Sequence, residues 1–261
     1  MCIRDRYSFA GTIPTDSART GPLDYVLTVY QGDRATTYPG AIDGAPSAWD
    51  SAASAVWRTH VVPRTAPVVL FDANQDQSRV VNPGYVPGAR VRSDWIAGSQ
   101  PGYTAWLAGV DGFGPTAQHV AFRTNLRDGA RARMVSALEG AIHDAVLRVR
   151  VRAQGARDVP LEIALVLADG SAWGSTVQAS ATWREIELPV RELRAVPLAL
   201  VPRPYPTFLP YDLVVTGASG ISDLRAIEAI QWGFPRRAES GDELAQRVEI
   251  EWVQLVRSSR P

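Results

Sequence analysis

Between Leu147 and Arg152 apolar and basic residues alternate one for one: Leu147-Arg148-Val149-Arg150-Val151-Arg152. Successive side chains of an extended strand point to opposite faces, so this run puts three aliphatic groups on one side and three guanidiniums on the other. A helix would scatter both sets around its circumference. Period-two or β-branched runs recur over Val68 to Asp72, Gln118 to Thr124, Arg131 to Ala137, Ala145 to Ala153, Leu161 to Asp169, Thr182 to Leu188, Ile227 to Phe234 and Arg247 to Leu255. Gly- and Pro-rich loops separate them. Helical signals are confined to Arg191–Arg194, after a proline, and Ser222–Ile227, which opens with a serine or aspartate cap. Neither is long enough to carry the crossovers of a parallel sheet. An all-β chain is expected, with a jelly-roll β-sandwich over residues 66–256 and a short tail at 257–261.

The residues before this block read differently. The opening Met1-Cys2-Ile3-Arg4-Asp5-Arg6 resembles the translated adapter read-through seen at the start of metagenomic gene models, and residues 1–6 are set aside as an artefact. Residues 7–40 carry three strand signals: Tyr7 to Ile13, Asp24 to Tyr30 and Ala35 to Tyr38, the last two joined by a hairpin-like turn at Gln31-Gly32-Asp33. So few strands cannot bury a two-sheet core alone. This segment is expected to be the end of a truncated Ig-like or fibronectin-like β-sandwich. Residues 41–65, rich in Ala, Ser, Pro and Gly around Trp49 and Trp57, read as a connector.

Composition removes whole classes of chemistry. All 27 basic residues are arginine. Without lysine there is no Schiff base, no lysine-anchored cofactor and no phosphate-gripping P-loop lysine. Cys2 is the single cysteine, which excludes disulfide frameworks, thiol catalysis and cysteine-ligated zinc. Twenty-seven acidic residues bring the net charge to zero, so nucleic acid is not expected as a partner. No apolar run approaches the roughly 18–20 residues needed to span a bilayer, and no membrane partner is expected.

Several motifs fail on their spacing. Val214-Val215-Thr216-Gly217-Ala218-Ser219-Gly220 is similar to the nucleotide-binding turn of short-chain dehydrogenases, but Ile221 and Asp223 stand where that pattern needs glycine. His60, His119 and His143 have no metal-ligand spacing and no Gly-x-Ser-x-Gly elbow beside them. Asp72, Asn74 and Asp76 place oxygens on alternate residues, as calcium loops do, although Gln77 and Pro83 replace the glycine and glutamate of an EF-hand. They are candidates for a structural calcium; the alternative is a turn in which Asx side chains cap their own backbone. No other cofactor is expected. Glu185 with Glu187, and Glu249 with Glu251, each share a strand face at i,i+2, which suits either hydrolytic chemistry or an ordinary solvated face.

Aromatic residues in loops give the strongest binding signal. Tyr85, Trp95, Tyr103 and Trp106 fall in a Gly/Pro/Ser-rich stretch, and Tyr205, Phe208 and Tyr211 crowd a proline-stiffened loop with Arg203. Rings stack on the flat C–H faces of sugars and guanidiniums bind their hydroxyls. These eight residues are the candidate ligand-binding set, while Trp183, Trp232 and Trp252 read as strand residues of the core.

The strands Val68–Ala73, Leu147–Arg152, Leu165–Gly170, Trp183–Pro189 and Val248–Leu255 together resemble the galactose-binding-domain-like carbohydrate-binding modules appended to bacterial glycoside hydrolases. The resemblance implies a non-catalytic module that binds polysaccharide or oligosaccharide, or supports a catalytic domain, within a larger polysaccharide-degrading enzyme. It also implies an upstream catalytic domain in cis and a secreted or periplasmic location. The alternative from a different class is a jelly-roll glycoside hydrolase or polysaccharide lyase using concave-face residues such as Arg148, Arg150 and Glu187.

Overall fold

The computed structural model describes residues 20–40, 42–45, 55–63, 65–114, 116–127, 129–138, 142–202, 211–213, 220–236 and 245–258. The chain divides into two compact units, Met1–Arg64 and Thr65–Pro261.

In the first unit, β1 (Gly21–Tyr25) pairs antiparallel with β5 (Trp57–Val61), and β2 (Leu27–Gln31), β3 (Arg34–Tyr38) and β4 (Ile42–Asp43) form a three-stranded meander. Gly32 sits at φ +62° in the β2–β3 turn, a conformation that costs a non-glycine residue steric strain. Two strands, β4 and β5, lie within residues 41–65, the stretch whose composition reads as a connector. Asp24 and Arg58 face each other across β1 and β5, with Arg58 Nε 2.6 Å from Asp24 Oδ1, and this hydrogen bond holds the exposed Asp24 carboxyl below its ordinary value.

The second unit is a β-sandwich of jelly-roll type. Its strands are β6 (Val68–Asp72), β7 (Val80–Val81), β8 (Ala89–Ala97), β9 (Thr104–Phe113), β10 (His119–Asn125), β11 (Ala145–Ala153), β12 (Val159–Leu167), β13 (Ala172–Ala179), β14 (Arg184–Pro189), β15 (Arg194–Val196), β16 (Leu198–Ala199), β17 (Asp212–Leu213), β18 (Ile227–Pro235) and β19 (Gln246–Arg257). One sheet runs β15-β13-β12-β18-β10-β7, and the other β14-β11-β19-β9-β8 with β6 also on β19. All the pairings are antiparallel. In β11, Leu147, Val149 and Val151 are fully buried while Arg148, Arg150 and Arg152 face outward, as the alternation requires. The core is aromatic at its centre: Trp106 meets Phe71, Phe122 and Trp232 with ring centroids 5.3–5.9 Å apart, edge to face. Such pairs add about 0.5–1.5 kcal/mol each beyond area burial. The indole N–H groups are satisfied, Trp106 Nε1 donating to Ser93 Oγ at 3.0 Å and Trp232 Nε1 to Thr124 Oγ1 at 2.9 Å.

Three of the longer strands escape the alternation, as do the two- and three-residue strands β7, β15, β16 and β17. β8, β9 and β13 lie in stretches whose glycines and small residues read as loops. The glycines have another cause: a Cβ on Gly109 would lie 2.7 Å from Arg247 Cα, and one on Gly174 2.6 Å from Ala164 Cβ. Here glycine permits close strand approach. Residues 131–137, expected as a strand, belong to a helix, α1 (Ala130–Leu138). Its buried residues, Ala130, Met134 and Leu138, recur every four positions, and its alanines, arginines, Met134 and Leu138 are strong helix formers. The two short helical signals are 3-10 turns, Val190–Glu192 and Leu224–Ala226, the latter capped by Asp223, whose carboxylate accepts from the Arg225 amide.

Candidate functional site

The outward face of β14-β11-β19-β9-β8 concentrates the molecule's ordered polar chemistry. Antiparallel register sets Arg148 opposite Glu187 of β14 and Gln254 of β19, Arg150 opposite Glu185 and Trp252, and Arg152 opposite Glu249. Directly opposed residues share a face. Accordingly, Arg148 Nε donates to Glu187 Oε1 at 2.9 Å, Arg150 Nε to Glu251 Oε2 at 3.2 Å, and Arg152 Nε to Glu249 Oε2 at 2.7 Å. Arg150 Nη1 also stands 3.7 Å from Glu185 Oε1.

Glu249 and Glu251 are only 3 % and 2 % exposed. Buried carboxylates need bonded partners, and local chain geometry supplies them. β19 exchanges neighbours here: Gln246–Ile250 pairs with β9, whereas Trp252–Leu255 pairs with β6. Glu251 falls at the exchange, where its carboxylate accepts from Arg150 and from the Ser99 amide. Gly98 leaves room for it, since a Cβ there would lie 2.6 Å from Glu251 Oε1 and 2.9 Å from Tyr103 Cβ. The turn therefore brings the exposed Tyr103 ring to the margin of the face.

Trp183, just before β14, completes the arrangement. The guanidinium carbons of Arg152 and Arg150 lie 5.0 and 5.9 Å from its ring centroid, within cation–π range. Trp183 and Trp252 are half-buried on this side of the sheet, so of the three tryptophans read as core only Trp232 is there. What could have shown this is the joint register of three alternating runs, in β11, β14 and β19; each was legible alone, their neighbourhood was not.

The candidate aromatics scatter. Trp106 is fully buried at the centre of the core, and its assignment as a ligand contact is corrected. Trp95 stacks on it at 6.3 Å and packs against the core. Both indoles belong to strands facing inward, in a stretch where Gly and Ser imitate a loop. Tyr211 lies on the other sheet, its hydroxyl bonded to the backbone of Ala121 by donation to O and acceptance from N. Tyr85 is 73 % exposed and borders an open cleft of about 450 Å³ with Arg90, Gly88, Gly112 and Gly114. Arg203, Tyr205 and Phe208 lie outside the described residues.

The three oxygen donors expected for calcium are arranged for a different cation. Arg127 Nε donates to both carboxylate oxygens of Asp76, at 2.8 and 2.9 Å, and Arg127 Nη2 lies 3.8 Å from Asp72 Oδ2. Asn74 Oδ1 accepts from the Thr104 amide, and Asp72 Oδ1 caps the Asn74 amide. A guanidinium thus stands among the carboxylates, and the donor set does not fit a calcium ion. The Asx-turn reading of this segment matches these bonds.

A second titratable cluster occupies the opposite sheet. His119 Nδ1 is 3.1 Å from Asp212 Oδ1 and His119 Nε2 is 3.9 Å from Glu162 Oε1, in space that Gly233 leaves open. Burial pushes the Glu162 carboxyl above its ordinary value of 4.5, partly opposed by His119 and by the hydrogen bond from Gln231. Folding thus favours protonated Glu162, so its contribution to stability is full below pH 4.5 and is lost as pH rises through the raised value. Urea unfolding across about pH 4–8 is expected to show wild type losing stability relative to Glu162→Gln as pH rises. A difference that does not change with pH would contradict this account.

No family model matches the chain, and no curated protein does. Solved structures similar to it include a family 11 carbohydrate-binding module from Clostridium thermocellum in complex with a β-1,3-1,4-mixed-linked tetrasaccharide, at 15 % identity and TM-score 0.48, covering 73 % of this chain and 95 % of that one. An exo-β-agarase matches at 13 % identity and TM-score 0.44, covering 74 % of this chain and 25 % of that one. A xylan-binding domain of carbohydrate-binding module family 22 matches at 9 % identity and TM-score 0.35, covering 74 % and 97 %. At these identities the likeness brings neither a ligand nor a site residue to this chain.

Proposed function

We propose that the Thr65–Pro261 unit is a non-catalytic carbohydrate-binding module that takes a glycan across the outward face of β14-β11-β19-β9-β8. The observation that carries this reading is the grouping of Trp183 with Arg150 and Arg152, two guanidiniums fixed from beneath by buried Glu251 and Glu249. A pyranose needs an apolar ring face to stack on and a fork of donors at fixed positions for its hydroxyls. Side chains already locked by their neighbours lose little entropy when such a ligand arrives. Glu187, Glu249 and Glu251 each accept from a guanidinium, which orients the donors of the face.

Affinity electrophoresis of the full chain through gels containing different polysaccharides tests the reading. Wild type should be retarded by at least one polymer, and Trp183→Ala should weaken that retardation by about tenfold in affinity, the loss of one stacking contact worth roughly 1.4 kcal/mol. Absence of retardation by any polymer overturns it. In the same proposal the unit belongs to a secreted or periplasmic polysaccharide-degrading enzyme with its catalytic domain in cis. Assay of the same mixtures for reducing ends or unsaturated products tests the absence of catalysis.

A further inference from the structure

Resting on that reading, we infer that the face is built for an uncharged glycan and that its carboxylates, above all Glu185 and Glu187, exclude anionic ones. The sheet face looks basic from β11 alone, where three arginines project together. Its neighbours reverse that impression. Arg148 is paired with Glu187, Arg150 with Glu251 and Glu185, Arg152 with Glu249, Arg92 with Asp94 on β8, and Arg247 with Asp111 at 2.6 Å. Five arginines thus face six carboxylates.

A sulfate or uronate would need a guanidinium whose N–H fork is open to a second anion. Here Nε of Arg148, Arg150 and Arg152 already donates to a glutamate. An incoming anion must displace that partner or approach it, and like charges in close approach repel. Glu249 and Glu251 cannot swing away, because both are buried under the face. Glu185 and Glu187 are exposed at its β14 edge and meet an approaching polymer first. A neutral hydroxyl asks for less: it can accept from an Nη hydrogen and donate to a carboxylate oxygen, and it brings no charge to which either pair must yield.

The experiment compares full-length wild type with Glu185→Gln/Glu187→Gln, two exposed substitutions that leave the buried carboxylates in place. The probes are neutral polymers (mixed-linkage β-glucan, agarose, xylan) and anionic ones (alginate, polygalacturonate, carrageenan), at low and high salt. Wild type is expected to bind at least one neutral polymer and none of the anionic ones. The double variant should gain salt-sensitive affinity for an anionic polymer of roughly tenfold, about the effect of removing two charges near the surface. Retardation of wild type by an anionic polymer as strong as by any neutral one overturns the inference while leaving carbohydrate binding intact. An unchanged preference in the double variant overturns the role given to Glu185 and Glu187. Retardation by nothing in the panel overturns the parent reading itself.

Discussion

Trp106→Ala is expected to destabilise the sandwich unit by about 3–5 kcal/mol, the usual cost of emptying a large aromatic site in a packed core. Trp106 is fully buried, touches Phe71, Phe122, Trp232 and Trp95, and donates to Ser93. Its neighbours come from both sheets, so the cavity would sit where the two layers interlock, and strands cannot close on it without shifting register. Denaturant unfolding of the full chain, followed by near-ultraviolet circular dichroism, measures the loss. Tyr85→Ala, at the most exposed large ring among the described residues of the unit, should stay within about 0.5 kcal/mol of wild type. Equal effects of the two substitutions would refute the placement of Trp106. The pair also separates the two meanings an aromatic can have in a Gly/Ser-rich stretch: one ring supports the fold, the other meets solvent.

Asp76→Ala is expected to cost a similar amount, about 3–5 kcal/mol, because it breaks a buried ion pair from one side. Asp76 is 2 % exposed and accepts two bonds from Arg127 and one from the Asp72 amide, with Arg79 Nε 3.4 Å away. Its loss leaves the Arg127 guanidinium, itself largely covered, without its main counter-charge. Thermal unfolding in EDTA and in excess calcium should give the same midpoint for wild type. A midpoint raised by calcium would show that Arg127 yields its place to the ion and would refute this description.

How far the sequence could be read depended on whether a signal was local. Period-two alternation in β11 gave its limits and its inward set directly, because strand geometry depends on adjacent residues alone. β9 escapes because its glycine answers to a contact more than a hundred residues away, Gly109 against Gln246 and Arg247, and β8 carries a register shift between Arg90 and Val91. α1 reads as a strand because Arg131 and Arg133 imitate alternation, while the decisive spacing of Ala130, Met134 and Leu138 belongs to a longer period. The candidate face was the least legible part. Arg150, Trp183 with Glu185, and Glu251 come from three places in the chain, and nothing in any one of them says that a bulge between Arg150 and Val151 will set Glu251 beneath the arginine. Buried glutamates look like solvated ones until the neighbouring strand is known.

β19 joins β11 along nearly its whole length on one side and is shared between β9 and β6 on the other. The sheet therefore cannot assemble until β19 itself has been made. Val68 finds its partner Leu255 only after nearly all the intervening strands have left the ribosome, and until then the inner edges of β11, β9 and β6 stand unpaired. Such edges invite pairing with other chains. The cell that makes this protein must keep those edges apart from neighbouring chains until β19 is threaded between them.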